Sequence, residues 1–432
     1  MYWQAEYECI NRVDLEQIQF ERLQATLNRV ARNVPFYRKR FEELGIDPYD
    51  LRSVEDIRKL PFTTKADIRD NYPYGLFAVP LRDVVRLQAS SGAPGKPAMV
   101  GYTKGDLRRW SELVARVLTA GGVTKDDVVQ VAFSYGMLTG GFGMHYGAEL
   151  IGASVIPASS GNDKRQVMIM QDYRTTALVS TPSYALHLAG AIEELGIGRG
   201  SLHLKYGLFG GEPWSEAMRR EIEERLGVKA TDNYGVSEVM GPGIAGECLE
   251  RAGLHINEDH FLAEVLDPET HEPVAPGRTG ELVLTTLTRE AFPVVRFRTG
   301  DLTRIIPEPC PCGRTLSRMS RVPGRCDDML IIRGVNVFPS QVEAVLLDVE
   351  GIEPHYQIVI EREGSLDKAT VLVGAPESLI TDRIRESQQI IETIRKRLHS
   401  ELGVGFMVRL VEGKSIERCE GAARRVVDKR TF

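Results

Sequence analysis

The stretch Lys205–Met240, KYGLFGGEPWSEAMRREIEERLGVKATDNYGVSEVM, decides the fold. Tyr206–Phe209 is a short apolar run that ends in Gly210-Gly211-Glu212-Pro213. Ser215–Leu226 carries its apolar residues at helical spacing, and Lys229–Asn233 is a second run, ending in Tyr234-Gly235. Strand, helix and strand in so few residues make a β-α-β unit, the building block of a parallel sheet. The rhythm extends upstream, with strands expected over Val128–Ser134, Ala153–Pro157 and Ala177–Ser180. Between and around them, helices are expected over Asp106–Ala120, Leu138–Leu150, Asp163–Tyr173 and Tyr184–Leu195. In such sheets ligands bind beyond the carboxyl ends of the strands, which is where both glycine-rich exits fall.

Ahead of the sheet lies Leu87–Thr103, LQASSGAPGKPAMVGYT. Ser90, Ser91, Gly92, Gly95 and Lys96 form a short polar loop between two extended apolar segments. Free backbone N–H groups, small residues and one ammonium are what a chain uses to hold nucleotide phosphates. The spacing is not the Walker pattern, and taken alone a Ser/Gly-rich loop is more often an ordinary hairpin or linker. Towards the N-terminus, Asp14–Leu44 reads as a long amphipathic helix broken at Pro35 and a second helix from Tyr37, and Thr64 is placed to cap a further short helix.

After Asp259 the pattern changes. Phe261–Leu266 and Gly280–Thr286 suggest a small antiparallel unit. Beyond Arg325 a compact α+β pattern follows: a strand over Met329–Ile332, Val335–Leu347 opening a helix, strands over His355–Glu363 and Lys368–Gly374, a helix from Ile380 to Leu402, and a last strand Met407–Val411. The expected architecture is therefore an α/β large N-terminal domain, residues 1–326, mainly parallel sheets covered by helices plus the small antiparallel unit. A smaller, mobile α+β C-terminal domain, residues 327–432, completes it.

The chain has 432 residues, a formal net charge of −6 and a pI near 5.9. That balance gives no reason to expect nucleic acid or an anionic membrane as partner. With no signal pattern and no membrane-length apolar run, the expectation is a cytoplasmic protein. Six cysteines in so long a chain are no disulfide framework. Cys310-Pro311-Cys312-Gly313 can present two thiolates to one metal, and Cys248 with His255 could complete a tetrahedral structural Zn2+ site. The plainer alternative is a proline-bounded loop with idle thiols and a surface histidine.

The ordered set SSGAPGKP, GGEPW, DNYGVSEVMGPG, FRTGDLTR, GRCDDMLIIRGVNVFPSQVE and EGAARRVVD, with the entry segment NVPFYRKRF, resembles the phenylacetate-coenzyme A ligase family of adenylate-forming enzymes. The resemblance spans essentially the whole chain. It implies an ATP-dependent ligase for an aryl or related carboxylic acid. The carboxylate attacks the α-phosphate of ATP to give acyl-AMP, and coenzyme A then displaces AMP. It implies that Ser90–Lys96 hold the β and γ phosphates and that Glu238 helps hold Mg2+. Gly211, Glu212 and Pro213 would line the adenine, with Asp232, Asn233, Tyr234, Gly235 and Ser237 nearby. Asp301 would accept the ribose hydroxyls, with Arg325 beside ribose and phosphate. Tyr135, Phe142, Gly210, Val236 and Pro242 match positions around the aryl ring, although Tyr135 and Phe142 would serve equally as core aromatics. His145 either gates the carboxylate or is a satisfied structural histidine. Asp327 corresponds to the interdomain hinge and Gly334 to the coenzyme A tunnel.

Two positions depart from the family pattern. The family's Glu-Gly-Lys-Ala-Arg-Arg segment has Ala422 in place of the lysine that stabilises the adenylation transition state. The phosphate loop has Ala93-Pro94 in place of two threonines, and Pro94 has no N–H to offer. Both weaken the first half-reaction and spare the second. The alternatives are therefore a binding protein that holds nucleotide or acyl-adenylate without turnover, and an adenylating enzyme that does not use coenzyme A. The sequence leaves open whether the chain forms a homodimer.

Overall fold

The computed structural model describes residues 1–89, 98–326, 330–332, 335–353, 355–363, 366–381, 383–416, 418–419, 422–423 and 425–429. The chain enters through two helices, Arg12–Asn33 and Pro35–Glu43. The Asn11 side chain accepts from Asp14 N–H and starts the first, whose buried face is Leu15, Leu23, Leu27 and Val30. It stops at Val34, held extended by the following proline, and Pro35 opens the second at the one helical position where its missing N–H costs nothing.

The large N-terminal α/β region is organised by a nine-stranded sheet. Five of its strands are parallel, in the spatial order Ser154–Ile156, Val128–Val131, Ala177–Ser180, Tyr206–Gly210 and Lys229–Val236. This is the half that the β-α rhythm announces. The sheet then continues antiparallel through Gly241–Glu247, Leu254–Ile256, Arg318–Met319 and Ile305–Ile306. The Gly241–Glu247 strand carries no alternating side-chain pattern because the helix Lys104–Ala120 lies directly on it. A Cβ on Gly246 would sit 2.5 Å from Val117, so glycine is what lets the helix approach. A separate antiparallel sheet pairs Phe261–Leu266 with Gly280–Thr286, and adds the strand Phe297–Thr303.

The smaller C-terminal α+β region begins with the hairpin Leu330–Ile332/Val335–Val337. Residues 335–337 are thus strand, and the expected helix opens only at Pro339, running to Leu347. A four-stranded sheet has the order Met407–Glu412, Leu366–Ala375, Tyr356–Glu363 and Val426–Asp428. The chain therefore does not end in the strand Met407–Glu412. Val426–Asp428 returns as a parallel edge strand, after the short pairing of Cys419 with Ala422. The single expected helix over Ile380–Leu402 is two, Glu377–Thr381 and Ile384–Leu402. This region has a core of its own around Ile358, Val371, Ile394 and Leu398. It touches the large region where Leu347 packs on the apolar cluster of Trp214 and Met218, and where Ser340 Oγ donates to the Pro323 carbonyl. No helix among the described residues is long and apolar enough to cross a membrane.

Candidate functional site

Two cavities open at the carboxyl ends of the parallel strands and share a wall made of Gly211, Asn233, Gly235 and Ser237. Two local features make that wall. Gly211 takes φ +80°, turning the chain out of its strand into Glu212-Pro213. At Gly210 the next strand comes so close that a Cβ would meet the Asn233 carbonyl oxygen at 2.1 Å.

The first cavity, about 300 Å³, is lined by Gly211–Pro213, Asp232–Glu238, Asp301 and Arg325. Twelve sequence-derived candidates are thereby brought together, from strand exits far apart in the chain. Tyr234 Oη donates to Asp301 Oδ2 at 2.5 Å, and Arg325 Nη1 donates to Asp301 Oδ1 at 2.6 Å. Burial, and then the Asp301 charge, push the Tyr234 phenol well above its ordinary value, so it stays a donor. Asp301 is thus an oriented carboxylate between a phenol and a guanidinium, an arrangement suited to a pair of vicinal hydroxyls. Asp232 lies deeper, its acidity weakened by burial against the pull of Trp214, Arg321 and Arg219. The buried Glu238 carboxylate has no hydrogen bond or ion pair among the described residues, a state that a cation would relieve.

Lys65 also lines this cavity. It is the first residue of the helix Lys65–Asp70, fixed by reciprocal Thr64–Asp67 capping bonds. The half-buried ammonium has no ion pair or hydrogen bond within the described residues. Sequence reasoning identified the cap at Thr64 and missed the side chain next to it, since nothing local shows that this helix end points across to the sheet.

The second cavity, about 230 Å³, is the more apolar. Ala132, Phe133, Leu138, Met144, Gly210 and Pro242 supply its walls, with Ser134, Thr139, Ser160, Thr181 and Tyr184 as polar groups. Of the residues expected around an acid, Gly210 and Pro242 line it and Val236 lines the neighbouring cavity. Tyr135, Phe142 and His145 lie outside that lining, in one aromatic cluster. The Tyr135 and Phe142 rings meet edge-on at 5.3 Å, Tyr135 Oη is 3.1 Å from His145 Nδ1, and the Arg86 guanidinium stacks on Phe142 at 4.9 Å. His145 Nε2 is 3.0 Å from Glu149 Oε1.

The C-terminal region packs on the helices beside these cavities. The backbone of Ala422–Ala423 runs beside the helix Pro182–Glu194, whose first turn supplies Tyr184 to the second cavity. Arg425 is half-buried, donates to Glu343 Oε1 at 2.8 Å and lies 4.2 Å over the Tyr356 ring. Burial lifts the Glu343 carboxyl to about 7; Arg425 opposes the rise, while Glu212 across the junction adds to it. Lys429 faces away, its Nζ 3.1 Å from Glu361 on the outer sheet. The phosphate-loop candidates Ser90, Ser91, Gly92, Gly95 and Lys96, with Asp327 and Gly334, lie outside the described residues.

Cys248, His255, Cys310 and Cys312 converge, all four ligand atoms lying within 4.8 Å of one another. Cys248 Sγ is 3.7 Å from Cys310 Sγ, and Cys312 Sγ is 3.4 Å from His255 Nε2. The first spacing is too long for a disulfide. It is close to the tetrahedral edge of about 3.75 Å implied by two sulfurs, each about 2.3 Å from a zinc ion. Burial pushes the Cys248 thiol up to about 12 and the His255 imidazole down to about 4, so His255 is neutral and able to ligate.

Residues 49–287 match the family model of the AMP-binding enzymes, and residues 334–430 match that of the AMP-binding enzyme C-terminal domain. The chain is 47% identical to the phenylacetate-coenzyme A ligase of Thermus thermophilus, with 100% of both chains covered. It is 48% identical to that of Escherichia coli, over 97% of this chain and 96% of the other. Among solved structures it resembles 2-hydroxyisobutyryl-CoA ligase in the postadenylation state, with a TM-score of 0.92, 30% identity and coverage of 99% and 92%. Against the same ligase in the thioesterification state, at 31% identity and equal coverage, the TM-score is 0.73.

Proposed function

The chain belongs to the phenylacetate-coenzyme A ligase family of adenylate-forming enzymes, and from that premise we propose how its residues carry the activity. It is an ATP-dependent aryl-acid coenzyme A ligase that works through an acyl-AMP intermediate. The observation that carries the residue assignment is the shared wall. A hydrophobic cavity of aryl-acid size and a polar cavity of nucleotide character meet at Gly211, Asn233, Gly235 and Ser237. A carboxylate in one therefore faces a phosphate in the other, and alignment of two bound reactants is the main thing adenylation asks of a protein.

In this reading Asp301 accepts the two ribose hydroxyls, held in place by Tyr234 and Arg325. Gly211–Pro213 and Asp232–Tyr234 flank the adenine, and Ser90–Lys96 hold the outgoing pyrophosphate. Glu238 would hold Mg2+, which supplies charge neutralisation on the phosphates. The acid, phenylacetate or a close relative, packs between Phe133, Met144, Gly210 and Pro242. Tyr135, Phe142 and His145 form the rigid backing of that slot. The large loss of overlap with the thioesterification state supports a rotation of the smaller region, with Asp327 as pivot and Gly334 on the coenzyme A path.

Ala422 withdraws the family's transition-state cation. Among the described residues Lys65 presents an ammonium without an ion pair or hydrogen bond to the nucleotide cavity, and we assign it that role in this chain. The four-ligand cluster of Cys248, His255, Cys310 and Cys312 takes a structural Zn2+, with no open position for chemistry.

The test separates the half-reactions over a panel of aryl and alkyl acids. ATP–pyrophosphate exchange should be strongest with phenylacetate-sized aryl acids, and coenzyme A should be consumed in equal amount with AMP released. Exchange without coenzyme A consumption would point to an adenylating enzyme of another kind, and nucleotide binding without exchange to a binding protein.

A further inference from the structure

A third cavity, about 380 Å³, is lined by residues from five separate parts of the chain and shares none of them with the two already described. Its walls carry six guanidinium groups. Arg22 and Arg29 come from the helix Arg12–Asn33, Arg108, Arg109 and Arg116 from Lys104–Ala120, and Arg289 from the segment after Thr286. The chain as a whole is acidic, at −6, so this is a local reversal of charge.

Part of the cluster is structural. Arg116 donates to both oxygens of the fully buried Asp259, at 2.7 and 3.0 Å, and Arg22 approaches the same carboxylate at 3.5 Å. His260 Nε2 is 3.2 Å from it as well. Although burial acts against ionisation, His260 and Arg116 keep Asp259 well below the ordinary carboxylate range, so it is a permanent anion. Arg109 is met by Glu290 at 2.7 Å. Arg29 and Arg108 have no ion pair among the described residues, although both face this cavity. Arg289 is 1% exposed; its Nη atoms donate to the Val239 and Gly101 carbonyls and its guanidinium lies 4.0 Å over the Tyr102 ring, but no carboxylate among the described residues meets it and its Nε has no hydrogen-bond partner. The available carboxylates are Asp259, Glu290 and the unpaired Glu112, three against six guanidiniums.

A fold gains nothing from holding surplus guanidiniums around one hollow. Arg29 is half-buried and Arg108 exposed, so water screens part of their mutual repulsion, while the half-buried Arg22 and the buried Arg116 and Arg289 side chains beside them keep the local field positive. An anion in the hollow offsets the repulsion that remains. Guanidinium forks suit phosphoryl oxygens in bidentate geometry, and the free cations stand on two different helices, further apart than one phosphate would need.

We propose that this cavity is a second anion site that binds a small molecule carrying two or more phosphoryl groups. The binding bridges the helices Arg12–Asn33 and Lys104–Ala120 without entering the nucleotide cavity. It is independent of the functional reading above, because none of its residues takes part in that reading.

Inorganic pyrophosphate, titrated calorimetrically at fixed ionic strength, tests it. The wild-type chain should bind two per protein, one at the phosphate loop and one here. Arg29→Ala/Arg108→Ala should weaken one of the two by about tenfold to a hundredfold and leave turnover at saturating substrates within about twofold. Lys96→Ala should weaken the other, so failure of the phosphate-loop assignment is seen separately. Unchanged binding of both pyrophosphates in the double arginine variant would overturn the site. Tighter binding of citrate than of pyrophosphate would overturn the phosphoryl class. A dimer that dissociates in the double variant, with pyrophosphate binding unaltered, would reassign the cluster to a subunit contact.

Discussion

The two sides of the nucleotide cavity are built on different terms. On the sheet side, Tyr234, Asp301 and Arg325 are bonded to one another before any ligand arrives, on strands whose neighbours are packed and paired. On the C-terminal side, Ala422 stands at the position that corresponds to the family's lysine, its backbone runs beside the helix Pro182–Glu194, and Arg425 is engaged with Glu343. In the function we propose, the sheet side binds nucleotide throughout the cycle, and the C-terminal side contributes to adenylation in its transition state. A chain that keeps the first and alters the second should bind substrates well and owe its rate to a cation from elsewhere, because only interactions that strengthen in the transition state accelerate chemistry.

The largest effect is expected on the sheet side. Asp301→Ala removes two charge-assisted contacts to ribose and leaves Arg325 facing an empty space. Pyrophosphate exchange should fall by about a thousandfold or more. A loss below tenfold would mean that ribose is held elsewhere, and that the sheet side is less complete than its hydrogen bonds imply.

Lys65→Ala tests the other side. Removing one ammonium from a desolvated site where charge develops should cost about a hundred- to a thousandfold in exchange rate, with AMP affinity changed by less than about tenfold. Ala422→Lys in that background should restore exchange, and in the wild type should raise it only slightly. Chemically supplied acyl-AMP should pass to thioester at an unchanged rate in both variants. A large gain from Ala422→Lys in the wild type would show that Lys65 had not replaced the missing charge.

Metal removal tests whether the sheet side is as rigid as it looks. The Cys/His cluster ties the loop after Glu247 and the Cys310–Cys312 loop to the strand Leu254–Ile256, which is one strand removed from the strand that carries Asp232–Tyr234. Chelation under reducing conditions should release one zinc per chain and lower the melting temperature by about 5–10 °C. No zinc and no change in melting would leave the four residues as idle thiols and a core histidine.

The smallest effect concerns the junction. Glu343 has its carboxyl raised to about 7 in the folded chain, so between its ordinary value and 7 the native state holds the extra proton. Stability from this group is therefore present in full below its ordinary value and is lost as pH rises through 7. Glu343→Gln should flatten the dependence of melting on pH between 5 and 7.5 by about 2–3 °C. A Gln variant with the same slope as wild type would place the titration at another residue.

What the sequence disclosed and what it hid follow from the same physics. The parallel half of the sheet was legible because buried strands alternating with amphipathic helices leave two clear periods. The strand Gly241–Glu247 was not, since its glycines make room for a helix and erase the alternation. Likewise Val335–Val337 reads as helix because it adjoins one, and the Val426–Asp428 strand is too short to carry a pattern. The residues of the polar cavity could be named from the family resemblance, whose motifs fall at the strand exits that meet there. Phe133 and Met144 could not, because an apolar residue facing a cavity and one facing a core have the same local sequence. Lys65 was invisible for a third reason: its partner surface is more than 140 residues away in the chain and only the fold brings them together.

One last consequence belongs to Gly210. With the Asn233 carbonyl 2.1 Å from where a Cβ would stand, no side chain fits at that position without moving a central strand. In the acid site we propose, bulkier acids cannot be accommodated or excluded by change at Gly210, so substrate range would drift through wall side chains such as Phe133 and Met144 while the glycine stays fixed.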